Sequence, residues 1–291
     1  MDVRPVHALR QQYPGAYSNG EAPAVSKRTI VIEGDRVVSV GSHPHIIEED
    51  DRVVDLNGRT VMPGMATCHY HLTSPSGMHE GFAPYGYEYP PGYQALIAQR
   101  NLLTTLQQGY TLVVGAGAAC DIDPAISQAI DDGFVQGPRF TPSLRELSTT
   151  GHANDLLAPW YWRLRTLGAA RNCDGPDAFT LAVREEAKIG LKVIKLFVTR
   201  GHLVPCGNAI MMSIELGIDI IDHCDEMDDD VIAALAETGT FVVPSVHYPK
   251  VVAELTEAEA PEAAAEMKRG PAVHVRRLAE GGGRWRPPSP R

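Results

Sequence analysis

The stretch "PGMATCHYHLT", residues 63–73, closes an apolar run with two histidines one residue apart, His69 and His71. Residues i and i+2 of a strand leave the same face, so a strand ending here presents two imidazoles together. Neutral imidazole is a good ligand for zinc and related divalent cations. The same pair also serves as plain packing at a strand end, and spacing alone leaves both readings open. Lys195 stands in "KVIKLFV" between Ile194 and Leu196. An inward ammonium there is costly unless it is neutralised or bound, whereas an outward one on an edge strand costs little. His223 directly follows "IDIID", where a satisfied core histidine is the plain alternative. Together the three sites share the C-terminal ends of three separate strand candidates, which is where a parallel barrel carries its chemistry.

The elements that would position them read as follows. "RTIVIEGDRVVSVG" gives two β-branched runs about Gly34-Asp35, and "RVVDLNGRTVMPG" repeats the pattern about Asn57-Gly58, which predicts a small antiparallel β unit over residues 28–62. From Pro63 onward the period changes. Strand candidates at 65–69, 110–114, 139–142, 192–198, 218–222 and 240–243 alternate with helix candidates at 93–108, 124–132, 176–189, 209–216 and 229–238. Such alternation predicts parallel strands with helical crossovers. "GPDAFTLAVREEAKIG" carries Pro near its start, Gly after its end, and Phe179, Ala182, Val183 and Ala187 on one face. The expected organisation is an N-terminal β segment over 1–62, an α/β domain over 63–250, and a Glu-rich helix with a disordered tail over 251–291.

Bulk properties limit the function classes. A chain of 291 residues with 44% hydrophobic and 21% charged residues buries a sizeable core. The net charge of -10 is spread along the chain, which argues against a phosphate-tracking surface, so no nucleic-acid partner is expected. Five scattered cysteines without a Cys-x-x-Cys pair fit a reducing, cytoplasmic setting better than a disulfide scaffold. Nowhere do 18 apolar residues run together, so neither a membrane span nor a membrane partner is expected.

"LNGRTVMPGMATCHYHL" resembles the first barrel strand of the amidohydrolase superfamily, in which Pro-Gly and His-x-His follow a small β-sandwich. "VIKLFVTRG" and "GIDIIDHCDEMDDDVI" resemble the fourth and sixth strands of its prolidase-like and imidazolonepropionase-like branch. "STTGHAND" resembles that branch's Gly-His loop, and "GTFVVPSVHYP" its seventh strand. The resemblance covers roughly residues 28–248. It implies an incomplete (β/α)8 TIM-type barrel with a small N-terminal β-sandwich segment. It further implies one or two divalent metals, usually zinc: His69 and His71 on the first, Lys195 as a carbamate bridging two, His223 on the second, and His152 approaching substrate from its loop. The implied activity is hydrolysis of an amide or peptide C–N bond, with a metal-bound hydroxide attacking the carbonyl of a small dipeptide-like substrate.

The chain also departs from that pattern. A histidine at the end of strand five and an aspartate at the end of strand eight have no counterpart. Between "GHLVP" and "CGNAIMMSIELG" about one strand and one helix are missing, since a crossover unit takes about 30 residues. A catalytically impaired derivative and a non-enzymatic homo-oligomeric scaffold, pairing through uncovered strand edges, therefore stand beside the hydrolase reading. "MHEGFAPYGYEYPPGY" reads as a lid or as an irregular surface loop.

Overall fold

Gly34, at φ 61, makes the tight turn expected between two β-branched runs. It lies in the first of two compact units, Met1–Met65 and Ala66–Arg291. The structure is a computed structural model that describes residues 6–10, 16–17, 23–26, 28–42, 49, 51–74, 89–151, 168–198, 207–224, 227–244, 251, 254 and 257.

The first unit contains β1 (Val6–Arg10), β2 (Ala16–Tyr17), β3 (Val25–Ser26), β4 (Thr29–Glu33), β5 (Arg36–Gly41) and β6 (Arg52–Asp55). A four-stranded sheet runs in the order β5-β4-β1-β6, and β2 pairs with β3 in a ribbon. β4 is antiparallel to β1 and β5, but β6 is parallel to β1, so the sheet is mixed where the sequence predicted an antiparallel one. A two-residue turn joins only antiparallel neighbours, whereas the longer stretch between β5 and β6 lets the chain reach the far side of β1. Asn57 and Gly58 form the second expected turn, at φ 47 and 76. Val61 beyond it makes only an isolated bridge.

The second unit alternates β7 (Met65–Tyr70), α1 (Pro91–Gln107), β8 (Tyr110–Gly115), α2 (Ile122–Asp131), β9 (Arg139–Thr141), β10 (Glu146–Ser148) and β11 (Ala170–Asn172). It continues with α3 (Pro176–Ile189), β12 (Lys195–Leu196), α4 (Gly207–Glu215), β13 (Ile220–His223), α5 (Asp229–Thr238) and β14 (Phe241–Pro244). The sets β7-β8-β9, β11-β10-β12 and β13-β14 are hydrogen-bonded. β8 with β9, β10 with β11 and β12, and β13 with β14 are parallel. This is the α/β class that the alternation predicted. Among the described residues these sets are not joined into one closed barrel. Strands β10 and β11 lack a sequence counterpart, because "ELS" and "ARN" carry no β-branched run.

Local signals explain the helices. α3 has Pro176 in its first turn and Gly190 as a left-handed cap at φ 94. α5 starts at Asp228, whose side chain accepts from the Val231 amide at 2.8 Å, and ends at Gly239, φ 72. Strand alternation then sets the layers. Val113 packs with Ala98, Leu102, Ile122 and Ile126, Leu147 with Cys173 and Ala182, and Ile221 with Ile210, Val231 and Leu235. Val114, Lys195 and Asp222, one position from residues that face the helices, leave the opposite face. None of the described helices is long and apolar enough to cross a membrane.

Candidate functional site

His69 closes β7 with His71 just past its end, and their Nε2 atoms lie 3.2 Å apart. Each ring is fixed from behind. His71 Nδ1 is 3.1 Å from the Gly117 carbonyl oxygen. A carbonyl only accepts, so Nδ1 donates and Nε2 keeps its lone pair. The Gly117 backbone, at φ 127, admits this contact because it carries no side chain: a Cβ there would stand 3.0 Å from Glu146 Cγ. His69 Nδ1 lies 3.1 Å from Asp222 Oδ2, an ionised oxygen that also only accepts. Both Nε2 atoms therefore face one point, where a cation or a proton lies between them.

Asp222 gathers the rest. Its Oδ2 accepts a hydrogen bond and ion pair from Lys195 Nζ, while its buried Oδ1 has no hydrogen-bond partner. Lys195, 11% exposed, also lies 3.4 Å from His69 Nδ1. The costly inward ammonium is thus neutralised. Burial pushes the Asp222 carboxyl up, but the hydrogen bond from His69 and the charge of Lys195 outweigh it and hold the group at about 2. Burial, helped by the charge of His69, lowers His71 to about 3, so its ring is neutral. The His223 ring centroid is 4.6 Å from that of His69. His223 and Cys224 both take left-handed φ values, 70 and 53, a strained pair of the kind that gathers at functional positions.

The structure therefore brings His69, His71, Lys195 and His223 to one place. His152 lies outside the described residues. Among the described residues no group of three or more His, Cys, Asp or Glu side chains is arranged to hold a metal ion. Asp222 was visible in the sequence only as a neighbour of His223. The signal that marks it is Lys195, whose inward position demands a countercharge on an adjacent strand. Glu146, 3% exposed and in register with Lys195, gave no sequence signal, nor did the Gly117 carbonyl.

A parallel α/β unit with a His-x-His at one strand end and a paired lysine on another defines the class, and the comparisons agree with it. No family model matches the chain. A dihydroorotase of Anoxybacillus flavithermus is 39% identical over 51 residues, 18% of this chain and 12% of that protein. Among solved structures, a prolidase complexed with N-methylphosphonate-L-proline superimposes with a TM-score of 0.80 at 26% identity, over 95% of this chain and 76% of that one. A Xaa-Pro dipeptidase with bound methionine in its active site gives 0.80 at 20% identity, over 96% and 77%. An A. niger ochratoxinase gives 0.80 at 20%, over 97% and 75%. The chain is similar to proteins of the amidohydrolase superfamily, on its prolidase-like side.

Proposed function

We propose that the chain is a metal-dependent hydrolase of amide or peptide C–N bonds in small dipeptide-like molecules. The observation that carries this reading is the 3.2 Å approach of His69 Nε2 to His71 Nε2, each with its Nδ1 facing an acceptor. Two nitrogens each 2.0–2.1 Å from one tetrahedral zinc stand about 3.3–3.4 Å apart, so the pair fits a divalent cation. Lys195 and His223 would be the further ligands, Lys195 as the carbamate that its amine would form by losing a proton and adding CO2 once freed from Asp222.

A divalent cation held there polarises a carbonyl and lowers the pKa of water enough to make it a nucleophile at neutral pH. The remaining work falls to this chain. His71, kept neutral by burial, stays a ligand in mildly acidic solution. Asp222 orients His69 through Nδ1, the carboxylate–histidine arrangement that raises ligand basicity. Its second oxygen, Oδ1, is left to accept a proton or a hydrogen bond from substrate. His152 is assigned to substrate binding by the resemblance alone. The neighbours whose names describe a prolidase and a Xaa-Pro dipeptidase support a dipeptide as the substrate class.

The test is amine release from a panel of Xaa-Pro dipeptides and N-acyl amino acids by zinc-loaded and chelator-treated protein. Zinc-dependent release supports the hydrolase. Metal binding without release from any panel member indicates the impaired derivative.

A further inference from the structure

Strand alternation places Val114, Phe197 and Ile220 on the side of their strands away from the helices, since Val113, Leu196 and Ile221 face the helix-side clusters. Together with Ile194, Leu196, Ser213, Ile218 and Ile221 these residues line a cavity of about 160 Å³. It runs along β12 and β13, and Lys195, Asp222 and His223 form part of its wall. The cavity therefore opens onto the cluster that holds His69. Its volume is close to that of an engineered apolar cavity of about 150 Å³ that takes benzene.

The wall is mostly aliphatic, and its polar groups are partly engaged: Lys195 pairs with Asp222, and the Ser213 hydroxyl donates to the Ala209 carbonyl at 2.7 Å. Asp222 leaves one carboxylate oxygen without a partner, so an anionic substrate group entering here would lose its water beside a like charge, which is expensive. An aliphatic group loses nothing and buries its surface. We infer that the cavity receives an uncharged, branched aliphatic group of the substrate, about the size of a leucine side chain, with the amide left at the histidine pair. This specificity pocket rests on the amide-hydrolase reading above, and nothing else in the fold is needed for it.

The experiment is calorimetric titration of the full zinc-loaded chain with N-acetyl-leucine, N-acetylglycine and N-acetyl-aspartate, which needs no turnover. The leucine compound is expected to bind at least tenfold more tightly than the glycine one, a discount on the value for four buried carbons, and the aspartate compound no better than glycine. Val114→Phe and, separately, Ile220→Phe fill the space and should erase the leucine preference while leaving N-acetylglycine unchanged. Equal affinities in the wild type, no binding of any of the three, or a preference that survives both folded variants would overturn the inference. Amide hydrolysis without leucine preference overturns the pocket alone. Leucine preference without hydrolysis supports the pocket and removes the proposed reaction.

Discussion

His69 Nδ1 and Asp222 Oδ2 lie 3.1 Å apart across β7 and β13, and this contact decides which nitrogen of His69 faces His71. Because an ionised carboxylate accepts only, it makes Nδ1 the donor and aims Nε2 at the point that His71 also faces. The contact joins two strands that share no ladder.

Asp222→Asn should weaken zinc binding about 10- to 100-fold, the usual consequence of losing a ligand's orienting partner. The Asn side chain can present NH2 to Nδ1 and favour the wrong tautomer. Competition with a zinc indicator measures this, and an unchanged affinity would remove Asp222 from the account.

The same substitution strands Lys195. Its ammonium is 11% exposed, and removing the countercharge of such a pair should cost about 2–4 kcal/mol of folding stability, below the full penalty for a deeply buried pair. Adding Lys195→Met should recover most of it. Urea unfolding of the single and double variants, metal-free, gives the coupling; additive losses would mean the pair contributes nothing.

A pH dependence follows from Glu186, 1% exposed on α3. Burial raises its carboxyl from 4.5 to about 7, against the pull of Arg145 and Arg171. A raised carboxyl means that the folded chain binds the extra proton, so its contribution is complete below 4.5 and is lost as pH rises to about 7. Glu186→Gln should flatten the stability profile in that window. Asp222 acts in the opposite sense at the acid end. Held at about 2 against an ordinary 3.8, its contribution is present above 3.8 and is lost as pH falls toward 2.

Gly115 ends β8 where a Cβ would overlap Asp123 Oδ2 and stand 3.0 Å from the Ser143 amide nitrogen. Asp123 is 1% exposed and cannot swing into solvent. Gly115→Ala should therefore cost about 1–3 kcal/mol through overpacking, seen as a lower Tm. A Tm equal to that of the wild type would show that β8 has room to move.

The sequence was most legible where one residue type leaves one mark. The β-branched runs about Gly34-Asp35, the Pro-to-Gly span of α3 and the acidic start of α5 each became the expected element. His69, His71, Lys195 and His223 could be placed at strand ends because His-x-His and an apolar-flanked Lys are rare enough to notice, and the structure brings these four together. Strands β10 and β11 leave no such mark, since "ELS" and "ARN" hold no β-branched residue. The parallel placement of β6 beside β1 is a tertiary choice that local propensity does not encode. Asp222 carries no local mark either: its importance comes from a lysine 27 positions away in sequence, not from its own neighbours.

The most direct measurement is zinc content after equilibrium dialysis of the folded chain, alongside His69→Ala and His71→Ala. The account predicts at least one tightly held equivalent per wild-type chain and a loss of affinity in either variant greater than the 10- to 100-fold typical of an orienting partner. A folded wild type that retains no stoichiometric zinc, or alanine variants that bind it equally well, would contradict the account at its centre.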